Sequence, residues 1–216
     1  MKKIVLMLIV LCYSATGYAQ QDWDGSRADK LVTLGVRAGL NISKKYAMDD
    51  QADQDFALGY RIGLALDLNL ARSFSVNTGV LFEQKGWKHD YSDSRGKIET
   101  SDKATYLVVP LQGSYRVELS DKAQFQLNLG PYFAFGMGGK TETTSSFQAG
   151  GNYEVDSFDE NVGRKKFDAG IAVGAAITYS GIYVGIGYDR GLINTSQAGI
   201  DKFQNGSIHL TLGYNL

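Results

Sequence analysis

The sequence predicts an all-β fold, an eight-stranded antiparallel up-and-down transmembrane β-barrel, and three observations predict it. Apolar residues alternate with polar or small ones through eight segments, which is the period of a strand and not of a helix. The connections between these segments are long and polar at one end of the fold and short at the other, as up-and-down membrane barrels require. The row opposite the apolar one is rich in Gly and Ala, which suits a cramped interior better than a face washed by water.

The elements follow in chain order. Residues 1–19 read as a cleaved signal peptide: Lys2 and Lys3 precede an apolar run from Ile4 to Leu11, and Thr16-Gly17-Tyr18-Ala19 supplies small residues before a cut at Gln20. Residues 20–30 are polar and form an expected flexible periplasmic lead, and residues 31–216 form the barrel domain. The first strand alternates Val32, Leu34, Val36 and Leu40 with Thr33, Arg37 and Asn41. The second sets Phe56, Leu58, Tyr60, Ile62 and Leu64 against Ala57, Gly59, Arg61 and Gly63, and the third sets Val76, Val80 and Phe82 against Asn77, Gly79 and Glu83. Leu107, Val109, Leu111 and Tyr115 face Tyr106, Val108, Gln112 and Arg116 in the fourth, and Phe125, Leu127, Leu129 and Phe133 face Gln126, Asn128 and Tyr132 in the fifth. The sixth alternates Phe167, Ile171, Val173 and Ile177 with Asp168, Gly170, Ala172 and Gly174. Ile182 to Tyr188 and Ile208 to Leu216 complete the set.

Long connections are expected at residues 43–55, 88–103, 139–166 and 193–205, with tight turns at residues 71–72, 120–122 and 180–181. The even strand number puts both ends of the barrel on the periplasmic side. Aromatic residues near the strand ends form two expected interfacial girdles: Phe56, Tyr106, Phe135, Phe167 and Tyr188 at the loop end, and Phe74, Tyr115, Phe125, Tyr179 and Tyr214 at the turn end.

Composition narrows the function classes. The 216 residues carry 22 Lys and Arg against 23 Asp and Glu, so no basic surface argues for nucleic acid. Cys12 is the one cysteine and lies in the leader, so disulfide and thiol chemistry are not expected of the mature chain. No stretch after the leader is long and apolar enough for a transmembrane helix.

Several segments resemble the PorT-like outer-membrane β-barrel family common in Bacteroidetes, across nearly the whole mature chain. The residues that carry the resemblance are Gly35-Val36-Arg37-Ala38-Gly39-Leu40-Asn41, Gly79-Val80-Leu81-Phe82-Glu83-Gln84-Lys85-Gly86 and Tyr106-Leu107-Val108-Val109-Pro110-Leu111. Leu129-Gly130-Pro131-Tyr132, Gly185-Ile186-Gly187-Tyr188-Asp189-Arg190-Gly191-Leu192 and Leu210-Thr211-Leu212-Gly213-Tyr214 add to it. The resemblance implies an outer-membrane location and no catalytic residues. It takes in a component linked to protein secretion as well as members without an assigned role.

The candidate site is a polar network inside the barrel: Arg37, Arg61, Asp67, Glu83, Arg116, Asp168, Asp189 and His209. An isolated charge in a narrow barrel is costly, so these groups are expected to pair within one interior layer and fill the cylinder. His89 with Asp90, Ser92, Asp93 and Ser94 has no diagnostic catalytic spacing. Asp49, Asp50, Asp53 and Asp55 lack the glycine and distal glutamate of a calcium loop. Gly136-Met137-Gly138-Gly139-Lys140 lacks the rest of a phosphate loop and reads as a strand exit. No enzyme, cofactor or metal is therefore expected. Outer-membrane lipid and other envelope proteins are the candidate partners, with residues 139–166 as the expected binding surface. A component of a secretion or envelope assembly, a narrow channel and a soluble lipocalin-like barrel remain as alternatives.

Overall fold

In the computed structural model, residues 30–47, 55–93, 96–146, 151–160, 163–197 and 203–216 are described. The expected signal peptide and nearly all of the lead, and Asp49, Asp50 and Asp53 of the first connection, lie outside them. The strands are β1 (Val32–Ala47), β2 (Asp55–Asn69), β3 (Phe74–Asp93), β4 (Gly96–Ser120), β5 (Ala123–Ser145), β6 (Asn152–Asp156), β7 (Phe167–Tyr179), β8 (Ile182–Gly191) and β9 (Phe203–Asn215). All pairings are antiparallel, in the order β4-β3-β2-β1-β9-β8-β7-β5-β6, and a β4–β5 ladder closes the ring. Eight strands thus form the wall, as expected, and β6 is a ninth that hangs on the outer half of β5.

Which way the two rows point is decided by exposure. Leu127, Ile171 and Leu210 are 48%, 48% and 55% exposed, while Arg61 and Asp168 are 8% and 0% exposed. The greasy row therefore faces outward on every wall strand and the polar row fills the axis, the reverse of a soluble barrel. Closure leaves no unpaired strand edge within the apolar band, where a free N–H or C=O has no water to bond.

The sequence expectation fails in four places. Residues 88–103 are not a loop: β3 and β4 stay paired from Lys88↔Ser101 out to Asp93↔Gly96, and β5 follows β4 to Ile98↔Ser145. Beyond the apolar band both faces meet water, so the ladder continues without any alternation to betray it. The same reason hides β6, whose five residues are all exposed, and keeps the glycine run 136–139 inside β5 rather than at its exit. Tyr106 is not in the girdle. It shares the inward row with Val108 and Ser114 and is 0% exposed, packed edge-on against Phe158 with ring centroids 5.5 Å apart.

The short turns match the expectation. At residues 180–181 the chain reverses in two residues, Tyr179 pairing with Ile182, and both turn residues have positive φ (48° at Ser180, 88° at Gly181). That is the mirror-image turn whose twist suits a right-twisted hairpin.

Candidate functional site

The inward row brings together every residue of the expected polar network, but in three groups along the axis rather than one layer. Nearest the turns, Arg116 Nη2 lies 3.0 Å from Asp67 Oδ2, and Arg116 and Asn77 also donate hydrogen bonds to Asn69 and Asp67 respectively. Arg37 belongs to this end, yet it makes its side-chain hydrogen bond to Asn215 Oδ1 (2.6 Å) and stacks 4.0 Å over the Tyr183 ring. An amide and an aromatic face satisfy it instead of the expected carboxylate.

The middle group is centred on Arg61. Its Nη1 sits 3.6 Å from Glu83 Oε2 and 3.5 Å from Asp189 Oδ2. His209 Nε2 approaches Asp189 Oδ1 at 3.4 Å. Asn41 Nδ2 and Ser207 Oγ donate to Glu83 Oε1 at 3.1 and 3.2 Å, so β1, β2, β3, β8 and β9 are tied across the lumen. Toward the loops, Asp168 Oδ2 accepts from Asn205 Nδ2 (2.9 Å) and Tyr132 OH (3.3 Å).

Three interior charges were missed. Lys85 is 1% exposed, with Nζ 4.5 Å from the Tyr132 ring centroid and in the field of Glu83, Asp189 and Asp168. Its parity with Glu83 was a usable signal. Asp102 and Arg164 gave none, because each lies in a segment read as loop. Arg164 reaches down from the stretch before β7 to pair with Asp102 of β4, and Ser157 Oγ and Thr141 Oγ1 donate to Asp102 Oδ1 at 2.7 and 2.8 Å. Burial pushes the Arg164 guanidinium down to about 10 while Asp168 opposes the shift, so it is cationic at neutral pH and must be paired.

With these added, among the described residues five cations (Arg37, Arg61, Lys85, Arg116, Arg164) share the interior with five carboxylates (Asp67, Glu83, Asp102, Asp168, Asp189). A cylinder walled by lipid cannot hold net charge cheaply, and this balance meets that demand. A cavity beside Arg37, Arg61, Asn128, Tyr183 and His209 is about 50 Å³, room for a few water molecules.

The loop end is capped. Residues 157–160 and 163–164 lie over the mouth: Phe158 is 7% exposed, Arg164 N donates to Ser157 O at 2.7 Å, and Lys165 N donates to Thr195 O at 2.8 Å. Gly136 permits this, since a Cβ there would lie 2.2 Å from the Phe158 ring.

Of the remaining candidates, His89 and Asp90 are successive residues of β3 and point to opposite faces, and Asp90 pairs with Lys97 at 3.6 Å instead. Among the described residues no cluster of His, Cys, Asp and Glu has the arrangement of a metal site.

No curated protein sequence matches this chain. Among solved structures, Ail of Yersinia pestis, crystallised with the heparin analogue sucrose octasulfate, is similar with 13% identity, a TM-score of 0.43, and coverage of 87% of this chain and 100% of Ail. OprG of Pseudomonas aeruginosa has 11% identity, a TM-score of 0.45, and coverage of 88% and 98%. Residues 18–197 match the family described as outer membrane protein beta-barrel domain. That span takes in seven of the eight wall strands and most of the interior network, and the chain belongs to the outer membrane protein beta-barrel domain family.

Proposed function

We propose that this outer-membrane barrel is a closed anchor, not a channel or an enzyme, and that its work is done by the surface it holds outside the membrane. The observation that carries this reading is the filled interior: five cations and five carboxylates, a residual cavity of about 50 Å³ and a cap over the loop end. Planar-bilayer recording tests it. The purified wild-type barrel adds no conductance steps; regular steps that survive chelators and detergent controls overturn the reading.

The presented surface is the sheet that β3, β4, β5 and β6 build beyond the apolar band. Among the described residues β6 is a free edge of it, with Tyr153 64% exposed, and an edge of this kind can add a strand from another chain. That observation favours a role in an envelope or secretion assembly, in keeping with the resemblance to the PorT-like branch. Mild crosslinking in cells followed by purification captures a partner protein if this holds, and recovery of monomer alone counts against it. Export completes the proposal: removal of residues 1–19 leaves a mature chain beginning at Gln20, which intact-mass measurement on the membrane fraction checks directly.

A further inference from the structure

A second feature of the barrel lies on its outer wall. Across β2, β1, β9 and β8 one outward row reads Phe56, Lys44, Gly206 and Arg190, with Lys44 and Arg190 both in register with Gly206. The row beneath it is Leu58, Ile42, Ile208 and Tyr188, and Leu58, Ile42 and Ile208 are 46–63% exposed. The cations therefore stand one step above the apolar band, on the end whose loops face outside in such barrels.

Tyr46 organises them. Its ring lies over Gly206, where a Cβ would come within 2.2 Å of it. The Arg190 guanidinium stacks 3.9 Å from its centroid and Lys44 Nζ stands 4.8 Å away. Gln204 Oε1 accepts from Arg190 Nη2 at 3.2 Å. Among the described residues neither cation has a carboxylate within ion-pair distance, in contrast to Arg61, Arg116 and Arg164 of the interior. Lys140, another exposed cation of the loop end, is by contrast paired with Glu154 at 2.6 Å.

We infer that Lys44, Tyr46 and Arg190 form a cradle for the phosphate of an outer-leaflet lipid headgroup, whose acyl chains lie on Ile42, Ile208 and Leu40. Two cations held about an aromatic face at the hydrocarbon boundary are what an anionic headgroup needs: charge at the phosphate, a hydroxyl donor from Tyr46, and an apolar wall directly below. Cation–π stacking keeps both side chains at the wall rather than extended into water. A free phosphate would gain the charge but not the wall, so the occupant is the lipid.

Native mass spectrometry of the full mature barrel in neutral detergent tests this. The probes are a bisphosphorylated glucosamine-disaccharide lipid and the same lipid stripped of its phosphates, with inorganic phosphate as competitor. Wild type retains the phosphorylated lipid better by on the order of tenfold to thirtyfold, two cations each contributing near the membrane surface. The double variant Lys44→Gln/Arg190→Gln loses that preference, Lys140→Gln keeps it, and inorganic phosphate does not displace the lipid. Heat-modifiable migration on gels establishes that each variant is folded. If the double variant does not fold, Lys44→Gln alone carries the test, since the Lys44 side chain makes no hydrogen bond among the described residues. Equal retention of both lipids by wild type, an undiminished preference in the folded variants, or displacement by inorganic phosphate overturns the inference.

Discussion

Arg61 shows what a charge inside this barrel is worth. It stands between Glu83 and Asp189, and neither carboxylate has bulk water to retreat to. Replacing Arg61 by Met keeps the volume but leaves both acids without their shared cation, so the barrel loses about 3–5 kcal/mol of stability, the cost of stranding a buried charge. Urea unfolding in micelles, followed by the loss of heat-modifiable migration, checks this. Adding Glu83→Gln to Arg61→Met recovers part of the loss, because the two sites share one interaction; strict additivity would show the pair to be independent. Much of this site was legible residue by residue. Once the apolar row of a strand is taken to face lipid, parity assigns Arg37, Arg61, Asp67, Glu83, Arg116, Asp168, Asp189 and His209 inward with no further knowledge. Parity does not say at what height a side chain ends or what it meets, which is why one layer was expected and Arg37 was given a carboxylate in place of Asn215 and Tyr183.

At the scale of the element, the strands were legible only where lipid is on one side. Val173 and Leu129 announce β7 and β5 because a lipid face tolerates nothing else, whereas Lys88 to Ser92 and Asn152 to Asp156 lie where water bathes both faces and hydrophobic period carries no information. Arg164 and Asp102 were lost with them, since each lies in a segment read as loop although both are buried in the latch they form. The cap they belong to depends on the lack of a side chain at Gly136. Gly136→Ala forces the Phe158 ring outward at a cost of about 1–3 kcal/mol, and limited proteolysis then cuts within residues 151–166 faster than in wild type; unchanged cutting would show that Phe158 is not the stopper. The β7–β8 turn predicts in the opposite direction. Ser180 holds positive φ without being glycine, and Asn tolerates that region better. Ser180→Asn therefore stabilises the hairpin by a few tenths of a kcal/mol, while Gly181→Ala, at φ 88°, destabilises it by roughly 1–2 kcal/mol. Paired urea midpoints resolve the two signs.

For the whole molecule, orientation is the property on which the rest depends, and it makes a prediction that varies with depth. Leu129 and Val173 are cross-strand partners at the middle of the ladder between β5 and β7 and are 61% and 49% exposed, whereas Ala123 pairs with Tyr179 beside the short turn. An outward arginine is expensive in the middle of the hydrocarbon and cheap at its rim, where the guanidinium reaches water along its own stem. Leu129→Arg therefore costs about 2–4 kcal/mol and Ala123→Arg about 0–1 kcal/mol. The two substitutions sit on the same face of the same strand, so intrinsic strand preference cancels between them and only depth differs. A soluble barrel with its wall in water would accept arginine equally well at both positions. Folding yield into phospholipid vesicles, read by the shift of the folded band on unheated gels, separates these cases: a large deficit for Leu129→Arg beside near-normal yield for Ala123→Arg is the signature of a membrane wall, and equal yields would remove the basis for every inward and outward assignment made above.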